Sequence, residues 1–445
     1  MKRTHYLATV LFTLCAAQTQ AEDLLTIYQQ ALDADPQLKS AQTKVDIGAA
    51  QKGQALGQML PQITGTGNWS HNEQNVSATN RDIQTQYPGT RYYVSLNQSL
   101  IDFAKFWEWR RASKAEDQYA AEAIEAQNEL INNVVERYFD WSLADDEVIL
   151  VRKEKEAMQK QLEQVRKQFA KQMLKITDVY AVEARLDQLV AEQIMAETKR
   201  VTAEAALREL TGNQPDKPMK LREEVEYQTI QGDLQQWLDM AQSQNPLISS
   251  KIIAIEVAEN NVAVQKSKHL PVVDLQLNYF DTDTGYQSSR TFPTQTQVAA
   301  INVNVPIFNG GTTTHQMFEA QHRLQMSKYD NEATLRGLIK ETSDAFLSSN
   351  ASVRHIEAAQ KALESAAKSR ESMEKGLHYG VVTVSDLLKA QQDEFRTRRD
   401  LAEARYIYIK HRMRFLRAIG SINEDNVREV NAWLAPLTQA SEAVP

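Results

Sequence analysis

The sequence predicts a mainly α-helical chain that carries a few membrane-type β-strands and repeats its own plan twice. Three observations lead there: long stretches without glycine or proline, motifs that recur at a near-constant offset, and four short segments in which apolar and polar residues alternate. Only 15 Gly and 11 Pro punctuate 445 residues, so long uninterrupted helices are the first expectation. Beyond the N-terminus nothing approaches the run of about eighteen apolar residues that a membrane-crossing helix needs. The formal charge of -8, with no basic run in either half, argues against a nucleic-acid partner.

Residues 1–21 have the pattern of a cleaved secretory signal: Lys2 and Arg3, an apolar stretch over 6–17, and the small-x-small site Thr19-Gln20-Ala21. Cys15, the only cysteine, would leave with it, so structural disulfides and thiolate metal sites are not expected. Phe12, Thr13 and Leu14 do not form the small-residue run of a lipobox.

The repeat sets the architecture. ALDADPQL from Ala31 is echoed by AQSQNPLI from Ala241, and both Pro36/Pro246 and Pro61/Pro271 stand 210 apart. LNQSLID ending at Asp102 matches VNVPIFN ending at Asn309 at an offset of 207, and Asp178 matches Asp386 at 208. The chain reads as a duplication with the order helix, strand, strand, very long helix, helix in each half. The first repeat spans 22–212, a linker 213–232, the second repeat 233–420 and a C-terminal segment 421–445.

Residues 90–211 contain neither Gly nor Pro, and Met158, Leu162, Val165, Phe169, Met173 and Ile176 recur in steps of three and four, an amphipathic stripe of coiled-coil type. A helix over 103–169 would be roughly 100 Å long at 1.5 Å per residue. Asp102 and Asn309 stand where helix N-caps belong.

Strands are expected at about 61–71, 91–101, 271–281 and 296–306. Ile63, Gly65, Gly67 and Trp69 alternate with Gln62, Thr64, Thr66 and Asn68, and Val273, Leu275, Leu277 and Tyr279 with Asp274, Gln276 and Asn278. Segments of about ten residues with this period suit transmembrane strands. Trp69, Tyr92, Tyr93, Tyr279 and Phe280 at the strand ends suit an interfacial aromatic girdle. Each pair of strands flanks a polar stretch, 70–91 and 281–295, expected as a loop too long for a tight turn. Four strands cannot close a barrel, and lipid tolerates no unpaired edge, so two, three or four copies would have to combine into 8, 12 or 16 strands.

YQQALDADPQL with its echo AQSQNPLI, the two Leu-Pro strand entries, VPIFNGG over 305–311, YGVVTVSDLL over 379–388 and LTG over 210–212 together make the chain resemble the TolC family of outer-membrane channels. The resemblance implies a homotrimer with a 12-stranded barrel in outer-membrane lipid, continued by a periplasmic barrel of 12 helices, and a belt of small elements at 213–232 and 421–434. It implies a periplasmic tip at 172–178 and 380–386, with Thr177, Asp178, Tyr379, Gly380 and Val381 at the tip and adaptor contact. Asp386 takes the position of a carboxylate that narrows the pore, and Lys389 that of a second acidic residue, here within i, i+3 reach of Asp386. A Tyr and an Arg that latch the closed tip elsewhere in the family are Leu377 and Val382 here, while their partners Thr177 and Asp178 remain. Gln172 replaces the glycine of the first tip turn. The implied partners are a periplasmic adaptor and an inner-membrane ABC, RND or MFS transporter.

No His-Glu-x-x-His, Gly-x-Ser-x-Gly or phosphate loop is present, so neither an enzyme nor a cofactor is expected. His315 and His322 share a helix face at i, i+7 and read as solvated surface. A secreted or periplasmic coiled-coil scaffold would account for the helices but not for the alternating strands.

Overall fold

The computed structural model describes residues 21–78, 81–283 and 292–435. The signal segment therefore lies outside the described residues except for Ala21. The first half contains α1 (Leu24–Ala34), α2 (Pro36–Gly57), β1 (Gln62–Ala78), β2 (Arg81–Ile101), α3 (Phe103–Ala170) and α4 (Ile176–Thr211). A two-residue strand, β3 (Lys220–Leu221), leads to the second half: α5 (Leu234–Gln244), α6 (Pro246–Ser267), β4 (Val272–Asp283), β5 (Thr294–Asn304), α7 (Thr312–His378) and α8 (Val384–Ala418). The short α9 (Glu424–Ala432) and β6 (Leu434–Ala435) follow.

Three sequence expectations are corrected. The single helix ahead of each strand pair is two helices, because Pro36 and Pro246 cannot continue a preceding helix but suit a first turn. Asp35 ends α1 and caps α2, accepting from the Leu38 amide at 2.7 Å; Asn245 does the same for Leu247 at 2.9 Å. Asp102 caps α3 through the Ala104 and Lys105 amides, but the N-cap of α7 is Gly311, in the left-handed region at φ 83°, and Asn309 bonds the Thr313 hydroxyl instead. The polar stretch 70–91 is strand almost throughout, paired as far as Ala78 with Arg81. Backbone pairing needs no apolar alternation, so it persists where the alternation ends. In the second hairpin β4 runs to Asp283 and β5 starts at Thr294, with 284–291 outside the described residues.

The strands form one antiparallel sheet in the order β1-β2-β4-β5. At 1.5 Å per residue the 68 residues of α3 and the 67 of α7 each make a rod of about 100 Å. Near the sheet α3 packs against α2 and α6, and α7 against α6; toward the far end α4 and α8 take over. No single stripe serves all these neighbours, so the buried face of α3 shifts along its length.

Between the two levels lies the main core, where Trp141, Tyr138 and Phe139 of α3 are fully buried against α1, Leu207 of α4, Tyr408 and Met413 of α8, and Val427 of α9. The Tyr138 hydroxyl donates to the Glu22 carbonyl at 2.9 Å and accepts from the Met219 amide at 3.1 Å. β3 pairs with β6 beside it, and Lys220 bonds both Asp145 and Asp146 at 2.6 Å.

The end of α8 is locked to the α5–α6 corner. Asn245 Nδ2 donates to the Ala418 carbonyl at 2.9 Å, and Gly420, at φ 73°, lies so close that a Cβ would meet the Gln244 carbonyl oxygen at 2.6 Å. Its counterpart Gly212, at φ 70°, has open space around it. Gly420→Ala should therefore cost about 2–4 kcal/mol, the left-handed penalty plus overpacking, and Gly212→Ala only about 1 kcal/mol. Denaturant unfolding followed by the helical circular dichroism signal checks this, and equal losses would refute the clash.

Candidate functional site

Two regions can do work: the sheet and the far end of the long helices. Across the sheet, directly paired residues share a face. Ile63 pairs with Leu96 and Leu96 with Leu277; Gly65 pairs with Val94 and Val94 with Tyr279; Leu275 pairs with Ile301. These residues make one apolar face, and it is exposed: Ile63 is 71% accessible, Val94 47% and Val303 62%. The other face carries Gln62, Thr64, Asn97, Gln276, Asn278 and Asn302. A half-buried soluble sheet would hide its apolar face against a second layer; in the described residues no helix covers this one.

The register separates the five strand-end aromatics. Trp69, Tyr92 and Tyr279 belong to the apolar face, with Trp69 edge-on to Tyr92 at 5.8 Å and donating to its hydroxyl at 3.2 Å. Tyr93 and Phe280 pair on the polar face, stacked at 4.7 Å, and the Tyr93 hydroxyl donates to Asn278 at 3.1 Å. Sequence reasoning missed a second aromatic group at the opposite end of the strands. There Phe106 packs edge-on to Trp107 at 5.6 Å and the Arg110 guanidinium lies over Trp107 at 5.4 Å; the run Phe106-Trp107-Glu108-Trp109 was the available signal.

At the far end, both helix hairpins turn in the same way. Met173 N–H donates to the Gln168 carbonyl and Gln172 N–H to that of Phe169; Val381 and Gly380 repeat this onto Gly376 and Leu377. Gly380 has φ 70°, and Gln172, its counterpart, is held at φ 61°, the one left-handed non-glycine among the described residues. After each turn an aspartate binds back to the start of the helix: Asp178 accepts from the Lys175 amide at 3.0 Å, Asp386 from the Thr383 amide at 3.0 Å.

Asp386 also accepts from the Thr383 hydroxyl at 2.7 Å, and this bond, ahead of the backbone one, holds its carboxyl below the ordinary range. Lys389 adds only a weaker charge effect, so the partner of Asp386 is Thr383. Asp386 and Lys389 are both exposed, as are Thr177, Tyr379, Gly380 and Val381, while Asp178 is half-buried. Val165 ends the buried part of the α3 stripe; Phe169, Met173 and Ile176 are exposed. Leu377 is partly buried against the tip core, in which Val179 and Val182 of α4 meet Val384 and Leu388 of α8. Leu377, one of the two residues that the resemblance put in place of a polar latch, thus makes an apolar contact.

Above the turns lies a charged cluster the sequence did not reveal. Arg185 of α4 is 8% exposed and donates to Glu154 of α3, 2% exposed, at 2.5 Å, and to Glu192 at 2.7 Å. Arg399 of α8 stands 3.7 Å from Glu192, linking the two hairpins. Burial raises the Glu154 carboxyl despite Arg185. His315 and His322 gather no ligand set, and among the described residues no group of His, Cys, Asp and Glu could hold a metal.

The sequence pattern described as "Outer membrane efflux protein" matches residues 27–213 and again 237–421. The chain belongs to the outer membrane efflux protein family. Outer membrane protein TolC of Vibrio cholerae is 30% identical over 434 residues, covering 96% of this chain and 97% of that one. Alkaline protease secretion protein AprF of Pseudomonas aeruginosa is 26% identical, covering 92% and 86%. In fold, the Campylobacter jejuni CmeC outer membrane channel aligns with a TM-score of 0.81 at 17% identity, covering 93% of this chain and 90% of that one. This efflux-family protein therefore resides in the outer membrane, with its helices extending into the periplasm.

Proposed function

We propose that three copies of this chain close their four-stranded sheets into a 12-stranded outer-membrane barrel, continued by a barrel of 12 periplasmic helices. The protein is an outer-membrane exit duct for efflux and secretion, and relatives named for protease secretion and for cation efflux match it over 92% and 86% of its length. The observation that carries the reading is the exposed apolar face of a sheet whose two edges have no partner strand among the described residues, joined directly to rods of about 100 Å. A secreted or periplasmic scaffold has no use for such a face. The two halves, 22–212 and 233–420, are read as a duplication, with 213–232 and 421–445 forming the belt. The long β1–β2 hairpin points to the cell exterior, because both its ends enter periplasmic helices.

At the other end, exposed Met173, Tyr379 and Val381 beside Thr177, Asp178 and Gly380 give a periplasmic adaptor an apolar surface to hold. That adaptor joins the duct to an inner-membrane transporter, which supplies the energy. Asp386 and Lys389 line the entrance, so a trimer carries three charges of each sign there.

Reconstitution in planar bilayers tests this. Wild type should conduct, and Asp386→Asn, which keeps an acceptor for Thr383 while removing the charge, should lower cation selectivity several-fold. Lys389→Ala should raise it. Because Thr383 holds the Asp386 carboxyl low, its contribution should persist through mild acid and vanish only as pH falls below the ordinary carboxylate range. Absence of conductance would sink the duct; unchanged reversal potentials in both variants would move the constriction elsewhere.

A further inference from the structure

One face of the first two turns of α3 changes character in steps as it leaves the sheet. Phe103, Phe106, Trp107 and Arg110 follow one another at helical spacing and share that face. Phe103 is 49% and Phe106 41% accessible, and Arg110 is exposed as well. The Arg110 guanidinium lies over the Trp107 ring at 5.4 Å. Neighbouring cations already have carboxylates: Lys105 stands 3.9 Å from Asp102, Arg111 pairs with Glu108, and Lys114 stands 2.8 Å from Glu256. Among the described residues Arg110 has no carboxylate at ion-pair distance.

The fold does not require this stripe. At the offset of 207 that relates Asp102 to Asn309, the four counterparts are Gly310, Thr313, Thr314 and Met317, with neither ring nor cation. The second half therefore builds the same kind of rod, α7, without them. Beside the stripe an open cavity of about 710 Å³ lies between Met59, Ile101 of the apolar sheet face, Phe103, Lys105, Phe106 and Trp107, a volume within the range of small-ligand sites. On its wall Lys105 Nζ donates to Ser99 Oγ at 2.5 Å.

We infer that this face holds one anionic phospholipid of the periplasmic leaflet, with its phosphate on Arg110 and an acyl chain along Phe103 and the cavity. The inference rests on residence in the outer membrane with the helices running into the periplasm, and not on how many copies close a barrel. The depths agree. A headgroup layer is about 5–8 Å thick on each side of a bilayer. Arg110 lies about 10 Å beyond Phe103 along the helix, and helical side chains lean toward the N-terminus, here the membrane end. With Phe103 at the edge of the hydrocarbon, Trp107 falls among the headgroups, where indole rings concentrate, and the guanidinium reaches back toward the phosphates. Its planar fork suits two phosphate oxygens, and Lys105 adds a second cation nearby. The carboxylates of this region are engaged: Asp102 accepts from the Ala104 and Lys105 amides, and Glu108 accepts from Arg111.

Native mass spectrometry of the protein extracted from outer membranes tests it, with phosphatidylglycerol or phosphatidylethanolamine added at equal ratio. Wild type should retain phosphatidylglycerol in preference, and Arg110→Gln should weaken that retention about fivefold, the effect of one basic residue at an anionic membrane surface. Arg110→Lys, which keeps the charge and loses the fork, should fall between them. Trp107→Leu should weaken retention of phosphatidylglycerol while leaving Arg110 in place. Arg336→Gln, far along α7 and paired with Glu332, is the control and should match wild type. Inorganic phosphate should not displace the lipid; displacement would make this a site for the free ion and overturn the lipid assignment. Equal retention of the two lipids, retention unchanged in Arg110→Gln, or no adduct on wild type would each overturn the site, and none of these bears on conductance through the duct.

Discussion

Leu277→Arg should prevent accumulation of the protein in the outer membrane, whereas Gln276→Arg, one residue away, should be tolerated. Leu277 lies midway along β4 on the apolar face, paired with Leu96 and Ala299; Gln276 points to the polar face and accepts from Asn302 at 3.0 Å. A cation on the lipid side near the bilayer midplane costs about 2–4 kcal/mol per site, so the proposed trimer would lose about 6–12 kcal/mol, comparable to the whole stability of many folded proteins. In a soluble sheet neither change would matter much, because both positions are at least partly open to solvent in the single chain. The contrast between neighbours therefore isolates the membrane. Outer-membrane fractionation and heat-modifiable migration read the result, and equal behaviour of the two variants would remove the lipid-facing assignment.

Much of this sheet was legible because lipid imposes a strict alternation on the residues that meet it. Val273, Leu275, Leu277 and Tyr279 declare one face wherever the bilayer is present. The same logic hid the outer part of the first hairpin. Over 70–91 the alternation of hydrophobicity fades while backbone pairing continues, joined by a side-chain bond from Gln84 to Glu73 across the hairpin. The split of the strand-end aromatics between the two faces was hidden for a related reason: adjacent positions such as Tyr92 and Tyr93 face opposite ways, and composition alone does not choose between them.

The tip shows another limit. Constant offsets located both turns, and the pairing of Gln172 with Gly380 could be read directly from them. Asp386 was legible as a helix-start residue, but its bond to Thr383 rather than to Lys389 depends on side-chain rotamers that spacing does not fix. Glu154, Arg185 and Arg399 gave no local signal, because they meet from three different helices and each looks like an ordinary surface charge in its own segment.

That cluster should prove the most sensitive point of the far end of the long helices. Arg185→Met leaves Glu154 buried without its cation, a change that costs about 3–5 kcal/mol, while Arg185→Met combined with Glu154→Met should recover most of the loss. The damage should be local. Val151, Met158 and Val182 pack beside the pair, whereas the belt core around Trp141 belongs to a separate cluster. Hydrogen exchange should therefore accelerate across 151–192 and remain slow at 130–141. The deficit should also depend on pH in a definite sense. Burial already raises the Glu154 carboxyl in the folded state, and removing Arg185 raises it further. A carboxyl raised above its unfolded value favours folding when protonated, and the advantage is lost as pH rises through the folded value. Acidification should accordingly shrink the gap between Arg185→Met and wild type. A gap that stays constant from neutral to acidic pH would mean that lost packing, and not a stranded carboxylate, weakens the tip.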